Sequence, residues 1–302
     1  MIIPPYLKKG DTIGITCPAG YMEKEKAQTC ITTLQQWGYE VMIGKTLGNN
    51  SKNYFSGTDE ERLNELQAML DDDRIKAILC GRGGYGVGRI IDKIDFKQFK
   101  RKPKWVIGFS DITVLHCHLN SKLKIASLHA PMAAAFNNDG FKNEYVLSLQ
   151  KALTGKKISY QTTIHPFNKQ GIAKGELVGG NLALLANVIG TPSDINTKNK
   201  ILFIEDTGEY IYNVDRMFYQ LKRSGKLENL SGLIIGGFTD TKDTTRPFGK
   251  TVYEVINDIV NEYNFPVSFN FPVSHEKENY TLKVGVNYQL EVGRKKVMLK
   301  EL

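Results

Sequence analysis

Cysteine is scarce in this chain, and the residues present show no pairing pattern. The cysteines stand at positions 17, 30, 80 and 117, and none has the CxxC spacing that is typical of zinc sites and redox motifs. Most of them lie inside apolar runs, where a free thiol behaves as a small apolar side chain. We therefore expect buried free thiols, with no disulfide framework and no metal held by cysteine.

Long apolar runs are missing as well. No stretch approaches the roughly 18 residues that a membrane helix needs, and the mean hydropathy is −0.30. At the start of the chain, positive charge follows a short apolar stretch, whereas in a secretory signal it comes first. We expect a cytoplasmic protein that does not act at a membrane.

Acidic residues are fewer than basic ones, 32 against 40, which gives a net charge of +8. The basic residues are scattered, and neither a basic helix nor an aromatic-basic platform accompanies them, which argues against a nucleic-acid partner. A solvated surface explains this charge, and it would also attract an anionic substrate over a distance.

Strand-like and helix-like segments alternate through the first half of the 302-residue chain. Short apolar strands are predicted at 12–17, 39–43, 75–80 and 104–109. Helical spacing occupies 27–37, and a capping box, Thr58 with Glu61, precedes a helix that carries Leu63 and Leu66. This alternation predicts a parallel sheet with helices on both faces, whose functional groups collect at the carboxyl ends of the strands.

The character of the chain changes at residues 154–172, a polar stretch that we interpret as a connector or an edge hairpin. Buried strands are predicted beyond it at 201–204, 233–238 and 265–267, with a helix at 253–260. The fold class is therefore α/β with two domains: an N-terminal parallel-sheet domain, residues 1–160, and a C-terminal α/β domain rich in strands, residues 161–302.

Residues 105–113, WVIGFSDIT, are the most informative stretch for function. An apolar run ends abruptly at Ser110, and helical spacing begins at once. A serine at such a turn has an exposed Oγ and sits at the positive end of a helix dipole, which suits a nucleophile whose transition state develops negative charge.

A glycine-rich loop, residues 81–88, follows a strand in the same way, and three interpretations of it stay open. It could be a dinucleotide fingerprint, although the spacing is not a clean GxGxxG. The glycines could simply permit a tight crossover. Alternatively, backbone N–H groups of the loop could face an oxyanion while Arg82 or Tyr85 contacts the substrate.

A nucleophilic serine needs a base, and the chain offers five histidines. His275 lies in a loop after a strand-like segment, where catalytic groups are often carried, and is the leading candidate. His129 is the alternative. His116 and His118 stand two apart on a helix, so they face different sides and are expected to be structural. His165 lies in the connector.

The base needs an orienting acid, and the end of the strand at 201–204 supplies candidates. Glu205, Asp206 and Glu209 follow this strand, where a carboxylate would hold the imidazole tautomer and stabilise the imidazolium. A solvated strand-end acid or a helix N-cap is the other interpretation. Spacing does not choose between Glu205 and Asp206.

Seven segments in order give the chain a resemblance to a known family. They are GDTIGI at 10–15, GTDEERL at 57–63, RGGYG at 82–86, GFSDIT at 108–113, GGNL at 179–182, IED at 204–206 and PVSH at 272–275. In these segments the chain resembles the LD-carboxypeptidase family of serine peptidases, which includes muramoyltetrapeptide carboxypeptidases and the microcin-immunity peptidases.

The resemblance implies a Ser-Glu-His triad, with Ser110 as nucleophile, His275 as general base and Glu205 as the residue that orients it. It places the nucleophile in the N-terminal domain and the other two residues in the C-terminal domain. The oxyanion hole would be formed by the backbone N–H of Asp111 and one from the glycine loop, assigned to Gly84.

The implied reaction is hydrolysis of the amide between an L-centre and a terminal D-alanine in murein tetrapeptides, free or linked to sugar or nucleotide. Arg82 would clamp the terminal carboxylate with two hydrogen bonds, and Tyr85 and Asn181 would also bind substrate. Neither a metal nor an organic cofactor is implied, and the family suggests a homodimer.

Two positions depart from the family pattern, and three other functions remain open. Glu276 and Ala130 stand where the family often has glycine. The first could change loop geometry or substrate preference, whereas the second adds one methyl group. The alternatives are a same-family peptidase that cleaves peptidyl-adenylate amides of the microcin type, a non-catalytic protein that binds muropeptides or nucleotides, and a Rossmann-type oxidoreductase.

Overall fold

The computed structural model describes residues 1–49, 51–138 and 142–302, which form two compact α/β units. The first unit comprises Met1–Lys156 and Tyr280–Val284, and the second comprises Lys157–Asn279 and Gly285–Leu302. The predicted two-domain α/β class is confirmed. The linear division after residue 160 stays a prediction, and no pattern in the sequence indicated that the segment Tyr280–Val284 returns to the first unit.

The first unit is built on a six-stranded sheet in the order β11-β5-β4-β3-β1-β2. Numbered along the whole chain, its strands are β1 (Thr12–Thr16), β2 (Glu40–Ile43), β3 (Ile75–Cys80), β4 (Trp105–Gly108), β5 (Ser127–His129) and β11 (Leu282–Val284). Neighbouring strands are parallel except for β11, which runs antiparallel to β5. The glycine loop and Ser110 therefore follow the carboxyl ends of two adjacent strands, β3 and β4, as predicted.

Three helices of the first unit, at 28–36, 59–71 and 113–118, lie where the sequence predicts helical spacing, whereas those at 97–101 and 144–153 were not predicted. In chain order the helices are α1 (Gln28–Gln36), α2 (Asp59–Asp71), α3 (Lys97–Arg101), α4 (Thr113–His118) and α5 (Glu144–Leu153). The capping box of α2 is confirmed, since Thr58 and Glu61 each accept a backbone hydrogen bond from the other. One side chain is unexpected: Arg62 is fully buried, whereas Leu63 is only partly buried.

The second unit has a seven-stranded mixed sheet in the order β10-β9-β8-β7-β12-β13-β6. Its strands are β6 (Ser159–Thr162), β7 (Gly171–Asn181), β8 (Ile201–Thr207), β9 (Gly232–Thr239), β10 (Val267–Ser268), β12 (Asn287–Val292) and β13 (Val297–Glu301). The strands from β7 to β10 are parallel, and the pairings from β7 through β12 and β13 to β6 are antiparallel. The predicted connector thus contains the edge strand β6, which pairs with β13.

Three helices accompany the second sheet: α6 (Leu182–Asn187), α7 (Ile211–Arg223) and α8 (Val252–Val260). A segment without regular structure runs beside β9, because Phe271 N–H donates to Ile235 O at 3.0 Å and Gly237 N–H donates to Val273 O at 2.9 Å. This attachment carries His275 to the sheet edge at which β8 ends. The position of His275 is therefore fixed by hydrogen bonds between segments that are distant in sequence.

The cysteines agree with the expectation from composition, since all four are buried and free. Across the three described ranges, no helix combines the length and the apolar character that crossing a membrane requires.

Candidate active site

The turn after β4 holds Ser110 in a backbone conformation that non-glycine residues rarely adopt. Its φ is +62°, in the left-handed region. A short 3₁₀ turn, Ser110–Ile112, leads directly into α4. A serine on a strained strand-to-helix turn presents its hydroxyl at the carboxyl edge of the sheet, which is the geometry of a nucleophile elbow. The structure thus places the predicted nucleophile where such groups occur.

A buried histidine, His116, contacts the strand that precedes this turn. His116 lies within hydrogen-bond distance of Gly108 O through Nε2 and of Ser127 Oγ through Nδ1, both at 2.8 Å. A carbonyl only accepts, so Nε2 carries the proton and Nδ1 accepts from the serine hydroxyl. Burial lowers the pKa of His116 to about 4, which keeps the ring neutral. The expected structural role of His116 is confirmed.

The glycine loop lies directly against the nucleophile turn. A Cβ placed on Gly83 would be 2.8 Å from Ser110 Cβ, 3.0 Å from Ser110 Oγ and 3.2 Å from Asp111 N. Only glycine permits this approach of one backbone to another. Gly84 is exposed and has a φ of +94°. The assignment of the loop's oxyanion donor to Gly84 stays a prediction, and the residue in direct proximity to Ser110 is Gly83.

Asp111 connects the two segments from the other side. Its Oδ2 accepts a hydrogen bond from Val87 N–H at 2.8 Å, and its side chain is buried. Burial raises the pKa of Asp111 to about 6, although the Val87 N–H and the charge of Arg62 act in the opposite direction. The side chain therefore fixes the far end of the glycine loop, while its own backbone N–H stays next to Ser110.

The predicted substrate-binding residues of the loop are accessible. Arg82 is exposed and donates from Nη1 to Tyr21 O at 2.6 Å. Tyr85 is 51% exposed, and its ring lies 5.8 Å from that of Phe55. Both side chains can meet a ligand, and their roles stay predictions.

In the second unit the structure distinguishes between the two candidate acids. Nδ1 of His275 lies 2.6 Å from Oε2 of Glu205, whose side chain is fully buried, while that of His275 is 17% exposed. Nδ1 donates in this contact, which leaves Nε2 as the basic nitrogen of the neutral ring. Burial by itself lowers the pKa of His275, but the charge of Glu205 and this hydrogen bond outweigh it, so the pKa is raised.

Glu205 lies at a β-bulge between β8 and β9, which orients its side chain toward His275. The pairing of β8 with β9 shifts between Ile204 and Asp206, so that β9 has an extra residue opposite Glu205. A Cβ on Gly236 would lie 2.3 Å from Val273 O and 3.1 Å from Glu205 Cβ. The glycine therefore allows the segment that precedes His275 to approach Glu205 closely.

Asp206, the other candidate acid, accepts hydrogen bonds at the start of α6. Its Oδ1 accepts from Asn181 Nδ2 at 2.8 Å, and its Oδ2 accepts from Ala183 N–H at 2.9 Å at the start of α6. Asn181 in turn accepts from Leu184 N–H at 3.3 Å. Burial and the neighbouring Glu205 raise the pKa of Asp206 to about 6. Asn181 is buried within this arrangement, and its role in substrate binding stays a prediction.

The other histidines stand in packed surroundings. His129 is fully buried beside the rings of Phe109, at 5.8 Å, and His116, at 6.4 Å. His165 stacks on Phe269 at 5.7 Å. In the described part of the chain, no group of three or more His, Cys, Asp or Glu side chains could hold a metal ion.

Family profiles match most of the chain. The profile of the LD-carboxypeptidase N-terminal domain matches residues 13–130, and that of the C-terminal domain matches residues 174–290. The chain belongs to the LD-carboxypeptidase family. The probable murein peptide carboxypeptidase of Bacillus subtilis is 34% identical over 301 residues, which are 98% of this chain and 93% of that protein.

Other LD-carboxypeptidase relatives match over nearly the full length. The crystal structure of muramoyltetrapeptide carboxypeptidase from Oxalobacter formigenes has a TM-score of 0.85 and 29% identity, and the match covers 96% of this chain and 98% of that one. The microcin C7 self-immunity protein MccF of Escherichia coli is 26% identical over 98% of this chain and 94% of its own length. The resemblance inferred from seven short segments is thus confirmed.

In this LD-carboxypeptidase family member, Arg62 is a buried group that the sequence patterns did not predict. Its side chain is fully buried next to the glycine loop. The residue belongs to the GTDEERL segment, and the signal for its burial was an arginine on the apolar side of a helix.

Proposed function

We propose that this protein is a serine LD-carboxypeptidase that removes the terminal D-alanine from murein tetrapeptides. Ser110 is the nucleophile, His275 the general base and Glu205 the residue that orients it. The observation that carries the proposal is the 2.6 Å contact between His275 Nδ1 and the buried Glu205 Oε2, since a carboxylate-bound imidazole is the base that a serine nucleophile requires. We take the substrate class from the relatives in Bacillus subtilis and Oxalobacter formigenes, which are named as carboxypeptidases of murein peptides and muramoyltetrapeptides.

The reaction runs in two halves. Ser110 Oγ attacks the carbonyl carbon before the D-alanine while His275 Nε2 takes the hydroxyl proton. The tetrahedral intermediate collapses, the C–N bond breaks, and His275 gives its proton to the leaving amine. Water then attacks the acyl ester with His275 again as base, which releases the tripeptide and restores Ser110.

The negative oxygen of each intermediate needs donors. We assign them to the backbone N–H of Asp111 and to one of the glycine loop, at Gly84. Such a donor contributes on the order of 3 kcal/mol to the transition state. The proximity of Gly83 to Ser110 and Asp111 supports a loop donor in this role.

A carboxypeptidase must also recognise the free carboxylate of its substrate. We assign this to Arg82, because a guanidinium can hold a carboxylate with two hydrogen bonds and this side chain is exposed on the glycine loop. Arg82→Ala is expected to raise KM more than it lowers kcat, whereas unchanged kinetics would remove the assignment. Tyr85 and Asn181 are the further candidates for substrate contacts.

Mass spectrometry of a tetrapeptide ending in D-alanine tests the proposal directly. Wild-type protein is expected to release one alanine from the free peptide or its disaccharide form, and Ser110→Ala to release none. A peptide ending in L-alanine is the matched substrate control. Release by both proteins would contradict the assigned nucleophile, and release by neither would contradict the reaction.

A second candidate comes from the similarity to the microcin C7 self-immunity protein. We propose cleavage of peptidyl-adenylate amides as the alternative activity of the same triad. An intact aminoacyl-sulfamoyl adenosine, incubated in parallel with the tetrapeptide, separates the two. Binding of either compound without turnover, retained in Ser110→Ala, would instead indicate a non-catalytic binding protein.

The compartment and the assembly complete the proposal. Four free thiols are typical of a reducing compartment, so we propose that the protein acts in the cytoplasm. We also propose a homodimer on the basis of family resemblance, and light scattering after size-exclusion chromatography measures this directly.

A further inference from the structure

One fully buried cation in the first unit has no part in the proposed chemistry. Arg62, on α2, is 0% exposed. Burying a charge is costly unless it is paired and hydrogen-bonded. Its guanidinium forms an ion pair with Asp59 and lies over the ring of Phe55, 4.9 Å from the ring centroid. The cost of burying this charge is therefore offset in part by the ion pair and the ring contact, and the other partners of the guanidinium are backbone carbonyls.

The guanidinium joins two loops that follow neighbouring strands. Nη1 donates to Pro18 O at 2.6 Å, after β1, and to Gly86 O at 3.1 Å, at the end of the glycine loop after β3. The same two loops are connected by Gly20 N–H, which donates to Gly83 O at 2.9 Å. Arg62 therefore links the glycine loop to the rest of the sheet edge.

The fit between Arg62 and the loop is close. Gly86 has a φ of +148°, and a Cβ there would lie 2.7 Å from Arg62 Nη1 and 3.1 Å from Ala19 Cα. The loop can come this near only because position 86 has no side chain. The guanidinium and the glycine thus form one packed unit.

The other end of the loop reaches the nucleophile. A Cβ on Gly83 would contact Ser110 and Asp111 N, and Val87 N–H donates to Asp111 Oδ2 at 2.8 Å. The backbone between these points is thus held by Arg62 on one side and by the nucleophile turn on the other. A shift of the loop on the Arg62 side would therefore also move the backbone at Gly83, which lies against Ser110 and Asp111.

We propose that Arg62 is a positioning residue for the reaction: its guanidinium holds the glycine loop against Ser110 and so keeps the oxyanion donor of the loop in place. This inference rests on the proposed function. Arg62 acts through Gly86 and does not touch the substrate. Its role is therefore expressed in the transition state, where the donor is used, more than in substrate binding.

The surroundings of Arg62 make a substitution feasible. Asp59 keeps a second partner, because Arg89 Nε lies 2.9 Å from both of its carboxylate oxygens. Loss of the guanidinium therefore does not leave Asp59 as an isolated charge. Besides this one contact of Asp59, the groups that lose a donor are the carbonyls of Pro18 and Gly86.

Steady-state kinetics on Arg62→Met, Arg62→Lys and a control, Arg74→Met, give the first test. Arg74 is an exposed arginine of the same unit that pairs with Asp72, so its variant should match wild type. We expect Arg62→Met to lower kcat by about 10- to 100-fold with little change in KM, since a displacement near 1 Å can cost a factor of that size. Arg62→Lys keeps a charge and a donor, so an intermediate kcat is expected.

Hydrogen exchange followed by mass spectrometry gives a second readout that needs no activity. In Arg62→Met, and less so in Arg62→Lys, amides of residues 81–88 should exchange faster while those of α2 stay protected. A purely structural role predicts faster exchange throughout the unit and a normal kcat for the folded fraction. That result, or a wild-type kcat with a protected loop, would overturn the proposal.

The two proposals fail in different ways. If wild-type protein hydrolyses neither class of substrate, the proposed function fails, and exchange at residues 81–88 still decides whether Arg62 holds the loop. If wild type is active and kcat falls in Arg62→Met while loop exchange is unchanged, the positioning role fails and the proposed function stands. Should Arg62→Met fold poorly, Arg62→Lys carries both measurements.

Discussion

Replacing Glu205 by glutamine removes one negative charge from the proposed triad and leaves the volume of the side chain almost unchanged. The carboxylate is fully buried and lies 2.6 Å from His275 Nδ1. At an effective dielectric constant of 20, a full ion pair at this distance is worth about 6 kcal/mol. A tenfold change in rate corresponds to about 1.4 kcal/mol. We therefore expect Glu205→Gln to lower kcat by about 10⁴-fold, the size of loss known for an acid-to-amide change in a serine triad.

The same substitution should move the pH profile. The net effect of its surroundings raises the pKa of His275 above 6.5, because Glu205, Asp206 and Asp240 outweigh the effect of burial. The base must be neutral to act, so the acid limb of kcat/KM should lie above pH 6.5 in wild type. In Glu205→Gln the largest raising contribution is gone while burial persists, and the limb should shift to lower pH.

The assay is release of D-alanine from a tetrapeptide, measured from pH 5 to pH 9 in steps that resolve the limb. Glu291→Gln is the matched control, since it makes the same chemical change at an exposed residue of the same unit and should leave both the rate and the limb near wild type. Retention of most of the activity by Glu205→Gln, or an acid limb that does not move, would refute the reasoning.

Three further outcomes test the first unit. The free energy of unfolding of Ser110→Gly should exceed that of Ser110→Ala by about 1 kcal/mol, because alanine, unlike glycine, is strained at a φ of +62°. Urea denaturation measures the difference, and equal midpoints would contradict a strained turn. His116 is neutral in the folded protein, where burial lowers its pKa from 6.5 to about 4. The stability that it contributes above pH 6.5 should therefore be lost as the pH falls towards 4, by about 3 kcal/mol. Tryptophan fluorescence in urea measures this loss, and an equal loss in His116→Gln would assign the loss to another group. Burial raises the pKa of the thiols of Cys17, Cys30 and Cys80, so native protein should resist Ellman's reagent until it unfolds; rapid labelling would show that these sites open.

Local patterns in the sequence predicted much of the fold. The strands β1 to β4 and the helix α2 follow from apolar periodicity, and the capping box of α2 needs only residues within one helical turn. The position of Ser110 at a strand-to-helix turn is local in the same sense. Such features depend on neighbours in the chain, so the sequence contains them directly.

The choice between Glu205 and Asp206 depended on contacts that no local pattern encodes. Successive residues of a strand point to opposite faces, so either acid could have met the histidine. The bulge opposite Glu205 and the hydrogen bonds of residues 271–273 to β9 decide the matter. Both arise from segments that are separated by dozens of residues.

The sequence by itself determined the α/β class, the elements of the first sheet and the serine turn, because each is set by the chemistry of adjacent residues. Only the tertiary structure decided that Tyr280–Val284 returns to the first unit and that Arg62 is buried next to the glycine loop, and only it shows the contact of His275 with Glu205, the acid that the family resemblance implied. These three depend on hydrogen bonds between groups that are far apart in the sequence, and those form only when the chain packs.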